Sequence, residues 1–160
     1  MQPDLIQMIN LDHKIPPPII GLACAALAWW LAGAAQALAL HVRGGLALAL
    51  ALAALGLAIE LWGLWTFHRH RTTPNPMTPE RARTVVQSGP YRFTRNPMYL
   101  GLALQLLAWC AYLGNPLALL APAAFVAYIT RFQILPEERA LAQHFGEAYL
   151  AYMRSVRRWI

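Results

Sequence analysis

IIGLACAALAWWLAGAAQALAL, residues 19–40, carries no charged side chain. About 20 apolar residues in a row cross a bilayer as a helix, because every backbone polar group is then bonded within the segment. This stretch therefore reads as a first transmembrane helix. It is too long for the apolar region of a cleaved signal peptide, and Lys14 is the only base before it. Working outward, Leu46 to Phe67 is again apolar except for Glu60. Its Leu-Ala alternation imitates the period of a strand, but both members are apolar and the run is far too long for one, so length decides for a second helix.

The whole composition agrees. Of the 160 residues, 58% are hydrophobic and 12% charged, whereas a soluble domain carries about a quarter charged. The net charge of +6 does not point to nucleic acid, because the arginines flank apolar runs instead of forming a polar surface. Cys24 and Cys110 lie inside apolar segments and read as packing residues. His68, His70 and His144 lack a zinc-type spacing, so no metal is expected.

From His68 to Arg95 the character changes to a basic, proline-rich loop with Arg69, Arg71, Arg81, Arg83, Arg92 and Arg95. Structureless loops of that length are usually functional or disordered, and the basic and aromatic content favours function. Asn96-Pro97 then reads as an N-cap followed by proline at the first helical position, where its missing N–H costs nothing. A third helix to about Tyr112, a Gly114-Asn115-Pro116 turn and a fourth helix from about Leu117 to Leu135 make a hairpin. Pro136 is expected to end or kink that span. Glu137 and Glu138 suit the first turn of the next helix, on which Leu141, Phe145, Tyr149 and Tyr152 recur at amphipathic spacing. The expected fold is all-α and polytopic: about four transmembrane helices, a re-entering helical hairpin and a C-terminal amphipathic helix. Residues 1–160 read as one membrane domain, with two N-terminal spans over 1–68 and a catalytic loop, hairpin and tail over 69–160.

With four spans, all the Lys and Arg residues but Arg43 fall on one side, which the positive-inside rule places in the cytoplasm. Four spans without a targeting extension suit a bacterial inner membrane. The segments 88–101 and 131–152 then meet at one membrane face. There the chain resembles the isoprenylcysteine carboxyl methyltransferase and phospholipid methyltransferase superfamily of integral membrane enzymes. It has Gly89, Tyr91, Arg95, Pro97, Tyr99 and Gly101, then the hairpin, Glu137-Glu138, and Phe145, Gly146, Tyr149 and Tyr152. The match runs over about residues 83–158. One departure is Asn96, where the family usually has histidine; asparagine suffices for one hydrogen bond but not for a base.

The resemblance implies S-adenosylmethionine as cofactor, held by Val85, Val86, Tyr91, the Asn96, Pro97, Met98 and Tyr99 stretch, and Glu137. The chemistry is compatible: Glu137 offers an anion to the cofactor's ammonium, Tyr91 and Tyr99 offer aromatic faces, and Arg95 or the start of helix three offers a partner to its carboxylate. The catalytic candidates are Arg95, Arg131 and Glu138. Arg131 or a loop arginine would anchor a carboxylate acceptor, and Glu138 would take a proton from an amine. Arg131 stands two residues before Gln133, where the family's arginine aligns.

Scarcity of bases in the matching region favours carboxyl O-methylation of an isoprenylcysteine-like or other lipophilic acceptor. Phospholipid N-methylation and thiol S-methylation on the same scaffold stay open. Membrane sterol reductases share part of the motif but are much longer, and a structural membrane protein with a decayed motif is the alternative outside catalysis. A membrane-embedded acceptor and membrane lipid are the expected partners, with no nucleic acid. Glu60 is left open between a functional role and a structural one, in which it reaches the interface or pairs with a neighbouring helix.

Overall fold

The computed structural model describes residues 14–40, 44–70 and 84–160. Those residues form helices and no strand: α1 Pro17–Ala34, α2 Gly45–Arg69, α3 Pro97–Leu113, α4 Leu120–Ile129, α5 Leu135–Phe145 and α6 Glu147–Ser155. Single 3₁₀ turns occupy Gln36–Leu38, Gly89–Arg92 and Pro116–Leu119, and a π turn occupies Thr130–Ile134. Three runs are long and apolar enough to cross a membrane: Pro17–Ala34, Gly45–Arg69 and the continuous Pro116–Phe145. The fourth apolar helix, α3, has 17 residues, about 26 Å at 1.5 Å per residue. The chain is an integral membrane protein.

The four helices alternate in direction. At one end of the bundle the Gly114 turn closes the α3–α4 hairpin. Gly114 has φ +62°, and a Cβ there would lie 2.8 Å from the Leu40 carbonyl oxygen, so both conformation and space call for glycine. Asn115 caps the Pro116–Leu119 turn through Leu117 N–H (3.0 Å) and donates to the Ala35 carbonyl (2.8 Å), fixing the end of α1 there. The start of α1, the end of α2, the start of α3 and α5–α6 gather at the opposite end. Every described Lys and Arg lies in or directly beside those segments.

The core between α1, α3 and α4 holds Ala28, Ala118, Ala121, Phe125, Ile129 and Ile134, all fully buried. Cys24 and Cys110 are free thiols within it, as their apolar setting foretold. By contrast α2 joins α3 through small residues. A Cβ on Gly101 would lie 2.7 Å from the Gly56 carbonyl oxygen, so glycine lets the two backbones touch. One turn on, Gln105 Nε2 donates to Glu60 Oε2 at 3.0 Å. Glu60 therefore pairs with the neighbouring helix. Leu22, Trp29, Trp30, Leu50, Leu55 and Trp65 are among the large side chains exposed on α1 and α2, the pattern of a lipid-facing surface.

Two expectations are corrected. Pro136 does not end the fourth span: helical backbone runs from Pro116 to Phe145. Leu135 N–H donates to Thr130 O, five residues back, and this widened turn just ahead of the proline absorbs the ring and the missing donor. The amphipathic segment, in turn, is two helices. Gly146, at φ +55°, breaks it between α5 and α6, and α6 turns Tyr149 and Tyr152 inward to pack with Val86 and Tyr91.

Candidate active site

The end that gathers the basic residues encloses a cavity of about 280 Å³. Its walls come from four places. The 84–99 segment gives Val85, Val86, Tyr91, Arg95, Asn96, Pro97, Met98 and Tyr99; α5 gives Glu137, Glu138, Leu141 and Phe145; α6 gives Tyr149 and Tyr152; Pro17, Pro18, Leu102 and Ile134 add an apolar floor. All eight expected cofactor residues line it, and so do Arg95 and Glu138.

Local chemistry explains the first wall. Gly89 (φ +59°) starts the 3₁₀ turn against α2, where a Cβ would lie 2.6 Å from Thr66 Oγ1. The turn presents the Tyr91 ring to Phe67, with centroids 5.0 Å apart and nearly perpendicular planes. Tyr152 Oη donates to the Tyr91 carbonyl at 2.8 Å. Burial pushes the Tyr91, Tyr149 and Tyr152 hydroxyls well above the usual phenol range, and the negative Glu137 adds to this at Tyr91 and Tyr149. These phenols are neutral at physiological pH. They supply aromatic surface and hydrogen bonds, not charge.

Asn96 occupies the N-cap position and Pro97 the first position of α3, but the Asn96 side chain makes no capping bond. Its Nδ2 donates instead to the Arg158 carbonyl at 2.9 Å. Thr94 Oγ1 donates to the same carbonyl at 3.1 Å. Asn96 thus holds the segment beyond α6, a task one amide performs without acting as a base.

The two acidic residues diverge. Glu137 lines the cavity and accepts a hydrogen bond from Tyr99 Oη at 3.3 Å. Glu138 is bound on both oxygens: Oε1 by Arg95 Nη2 at 2.6 Å and Arg158 Nε at 3.0 Å, Oε2 by Arg158 Nη2 at 2.7 Å. The Arg95 and Glu138 side chains are 8% and 7% exposed, so this is a buried charge cluster. Arg95 Nη1 also donates to the Met153 (3.0 Å) and Val156 carbonyls. Glu138 is in consequence a fastener, occupied as an acceptor, instead of a free base. Arg95 is committed to the same cluster, and a ligand carboxylate would compete with Glu138 for it.

Arg131 is the expected site residue that the structure leaves outside. It is exposed, its guanidinium lies over the Phe132 ring at 5.2 Å, and it does not line the cavity. The π turn is the reason: an extra residue in that turn rotates the next stretch of helix by about 100°. Gln133, at the aligned position, is fully buried and donates to the Ile15 carbonyl at 2.8 Å, bracing the start of α1.

Arg158 is the residue that sequence reasoning missed. Its signal, a second arginine in Arg157-Arg158 just after an amphipathic segment, is indistinguishable from an ordinary membrane-flanking base. Among the described residues, the cavity carboxylate outside the arginine clamp is Glu137, set among neutral phenols and apolar walls. Such a set fits S-adenosylmethionine, whose ammonium and sulfonium are cationic and whose adenine is flat and apolar on its faces.

The family model for phospholipid methyltransferase matches residues 45–148, from the start of α2 into α6. An uncharacterized protein of Haemophilus influenzae is 49% identical over 63 residues, which are 39% of this chain and the whole of that relative. No solved structure matches. The chain belongs to the phospholipid methyltransferase family, a family of membrane methyltransferases.

Proposed function

We propose that this chain transfers a methyl group from S-adenosylmethionine to the amine headgroup of a membrane lipid, within the cavity between α3 and α5–α6. The observation that carries the reading is the cavity's charge. Glu137 is poised beside Tyr99 on its wall, while Arg95 and Arg158 are bound to Glu138 and Arg131 stands outside. Among the described residues that balance favours cationic ligands, since the guanidinium in the wall, that of Arg95, is bound to Glu138 through Nη2 and has only its buried Nε–H unpaired.

The cofactor, when bound, supplies an electrophilic methyl group on a sulfonium. Glu137 would hold its ammonium through charge-assisted hydrogen bonds, with Tyr99 Oη orienting the carboxylate. Tyr91 and Tyr99 would present ring faces to the positive sulfur, and Val86, Leu141 and Phe145 would pack the adenine. The Pro17, Pro18, Leu102 and Ile134 floor would take the apolar part of the acceptor next to its headgroup. Transfer is an in-line displacement: once the headgroup ammonium has lost its proton to water, the amine lone pair takes the methyl as the thioether leaves, so alignment and exclusion of bulk water are the protein's main contributions. Basic residues around the cavity support a cytoplasmic location for this end and, with the Haemophilus relative, a bacterial inner membrane.

The test is a thermal shift of the detergent-solubilised protein with S-adenosylhomocysteine, then labelled methyl transfer into vesicles. Binding stabilises by about 2.7 kcal/mol at 100 times Kd, and no shift at saturation refutes the cofactor reading. Label that enters aminophospholipid and stays with the headgroup through mild alkali supports the amine acceptor. Label released by mild alkali as volatile methanol would mark a methyl ester and give the carboxylate acceptor instead.

A further inference from the structure

We infer that Arg158 is a positioning residue for the cavity: it braces the start of α5 against the start of α3 and thereby sets where Glu137 stands. The inference rests on the cofactor reading above and adds a residue to it.

Arg158 does not line the cavity, yet it joins both walls. Its guanidinium grips both oxygens of Glu138 in the first turn of α5, at 3.0 and 2.7 Å. Its carbonyl accepts from Thr94 Oγ1 and Asn96 Nδ2 immediately before α3. The residues on either side reinforce the brace: the Arg157 carbonyl accepts from Arg95 N–H at 2.9 Å, and Trp159 Nε1 donates to Thr130 Oγ1 at 3.2 Å, at the π turn from which α5 emerges. The segment after α6 thus ties the chain before α3 to the π turn and the first turn of α5.

Glu137 and Glu138 are consecutive, about 100° apart around the helix. A planar fork holding Glu138 fixes the rotation of that turn, and so fixes the direction of Glu137 toward Tyr99. Without Arg158, Glu138 keeps only the bond from Arg95 to one oxygen, and the first turn of α5 loses the two-oxygen grip on its rotation. Misplacement by about 1 Å can cost an aligned site about a hundredfold in rate, and a Glu137 turned away from its place beside Tyr99 also loses part of its charge-assisted hold on the cofactor's ammonium.

The experiment compares wild type, Arg158→Leu and Arg158→Lys as full chains in detergent, by calorimetry with S-adenosylhomocysteine well below each melting temperature. Arg158→Leu is expected to weaken affinity about tenfold or more in protein that retains its helix content. Arg158→Lys keeps the charge but not the fork, and is expected to fall between the two. A merely structural role would lower the melting temperature and leave the affinity of folded protein unchanged; that result overturns the inference. If Arg158→Leu does not fold, Arg158→Lys decides: weaker binding supports the brace and wild-type affinity overturns it. Failure of wild type to bind at all would instead refute the cofactor reading and the inference with it.

Discussion

The cavity wall and the clamp beside it meet at two adjacent residues of the same chemical type. Glu137 looks into the cavity and accepts one hydrogen bond from a phenol, whereas Glu138 is closed between two guanidiniums. A carboxylate held by Arg95 and Arg158 stabilises the fold, and one left beside a neutral tyrosine is available to a ligand. The difference arises from helix rotation alone, and it turns one acidic pair into a structural element and a binding element.

The largest effect that would break this division is on the clamp. Glu138→Ala leaves the buried Arg95 and its partner Arg158 uncompensated, and removing one side of a buried ion pair costs about 3–5 kcal/mol. The melting temperature of the ligand-free protein should fall steeply. A small change would mean that the clamp is not structural.

Glu137→Gln is the reciprocal case. Loss of a charge-assisted bond to the cofactor's ammonium costs about 1.5–3 kcal/mol, roughly a 10- to 150-fold rise in Kd for S-adenosylhomocysteine by calorimetry. Ligand-free stability should barely move. If stability falls as much as for Glu138→Ala, the two carboxylates do not differ in role.

Tyr99→Phe sharpens the comparison with the smallest change. It removes the bond to Glu137 at 3.3 Å while keeping the ring, so affinity should weaken by about 0.5–1.5 kcal/mol. Cation–π contact with the sulfonium survives in phenylalanine. A loss as large as that for Glu137→Gln would show that the phenol, and not the carboxylate, carries the recognition.

Much of this architecture is legible in the sequence. The uncharged run over 19–40, the second apolar run and the Gly114-Asn115-Pro116 turn foretell the spans and the hairpin, because hydrophobic length and turn chemistry are local properties. The Tyr91 to Tyr99 segment and Glu137 are legible as a candidate site because polar residues at a hydrocarbon boundary stand out, and all of the cofactor candidates among them line the cavity. Arg131 is misplaced by sequence reasoning because nothing in residues 130–134 announces a π turn, and a single added residue changes which face is presented. Asn96 is located correctly as the N-cap position, yet its side chain serves the segment after α6.

The sequence by itself determined that this chain is a bundle of membrane helices with a polar, aromatic end, since lipid permits only segments that satisfy their own backbone. Only the tertiary structure decided which glutamate faces the cavity, that Arg95 is spent in a clamp, and that Arg158 closes it. Those outcomes depend on the rotation of α5 after its π turn and on contacts between residues tens of positions apart, which no local spacing records.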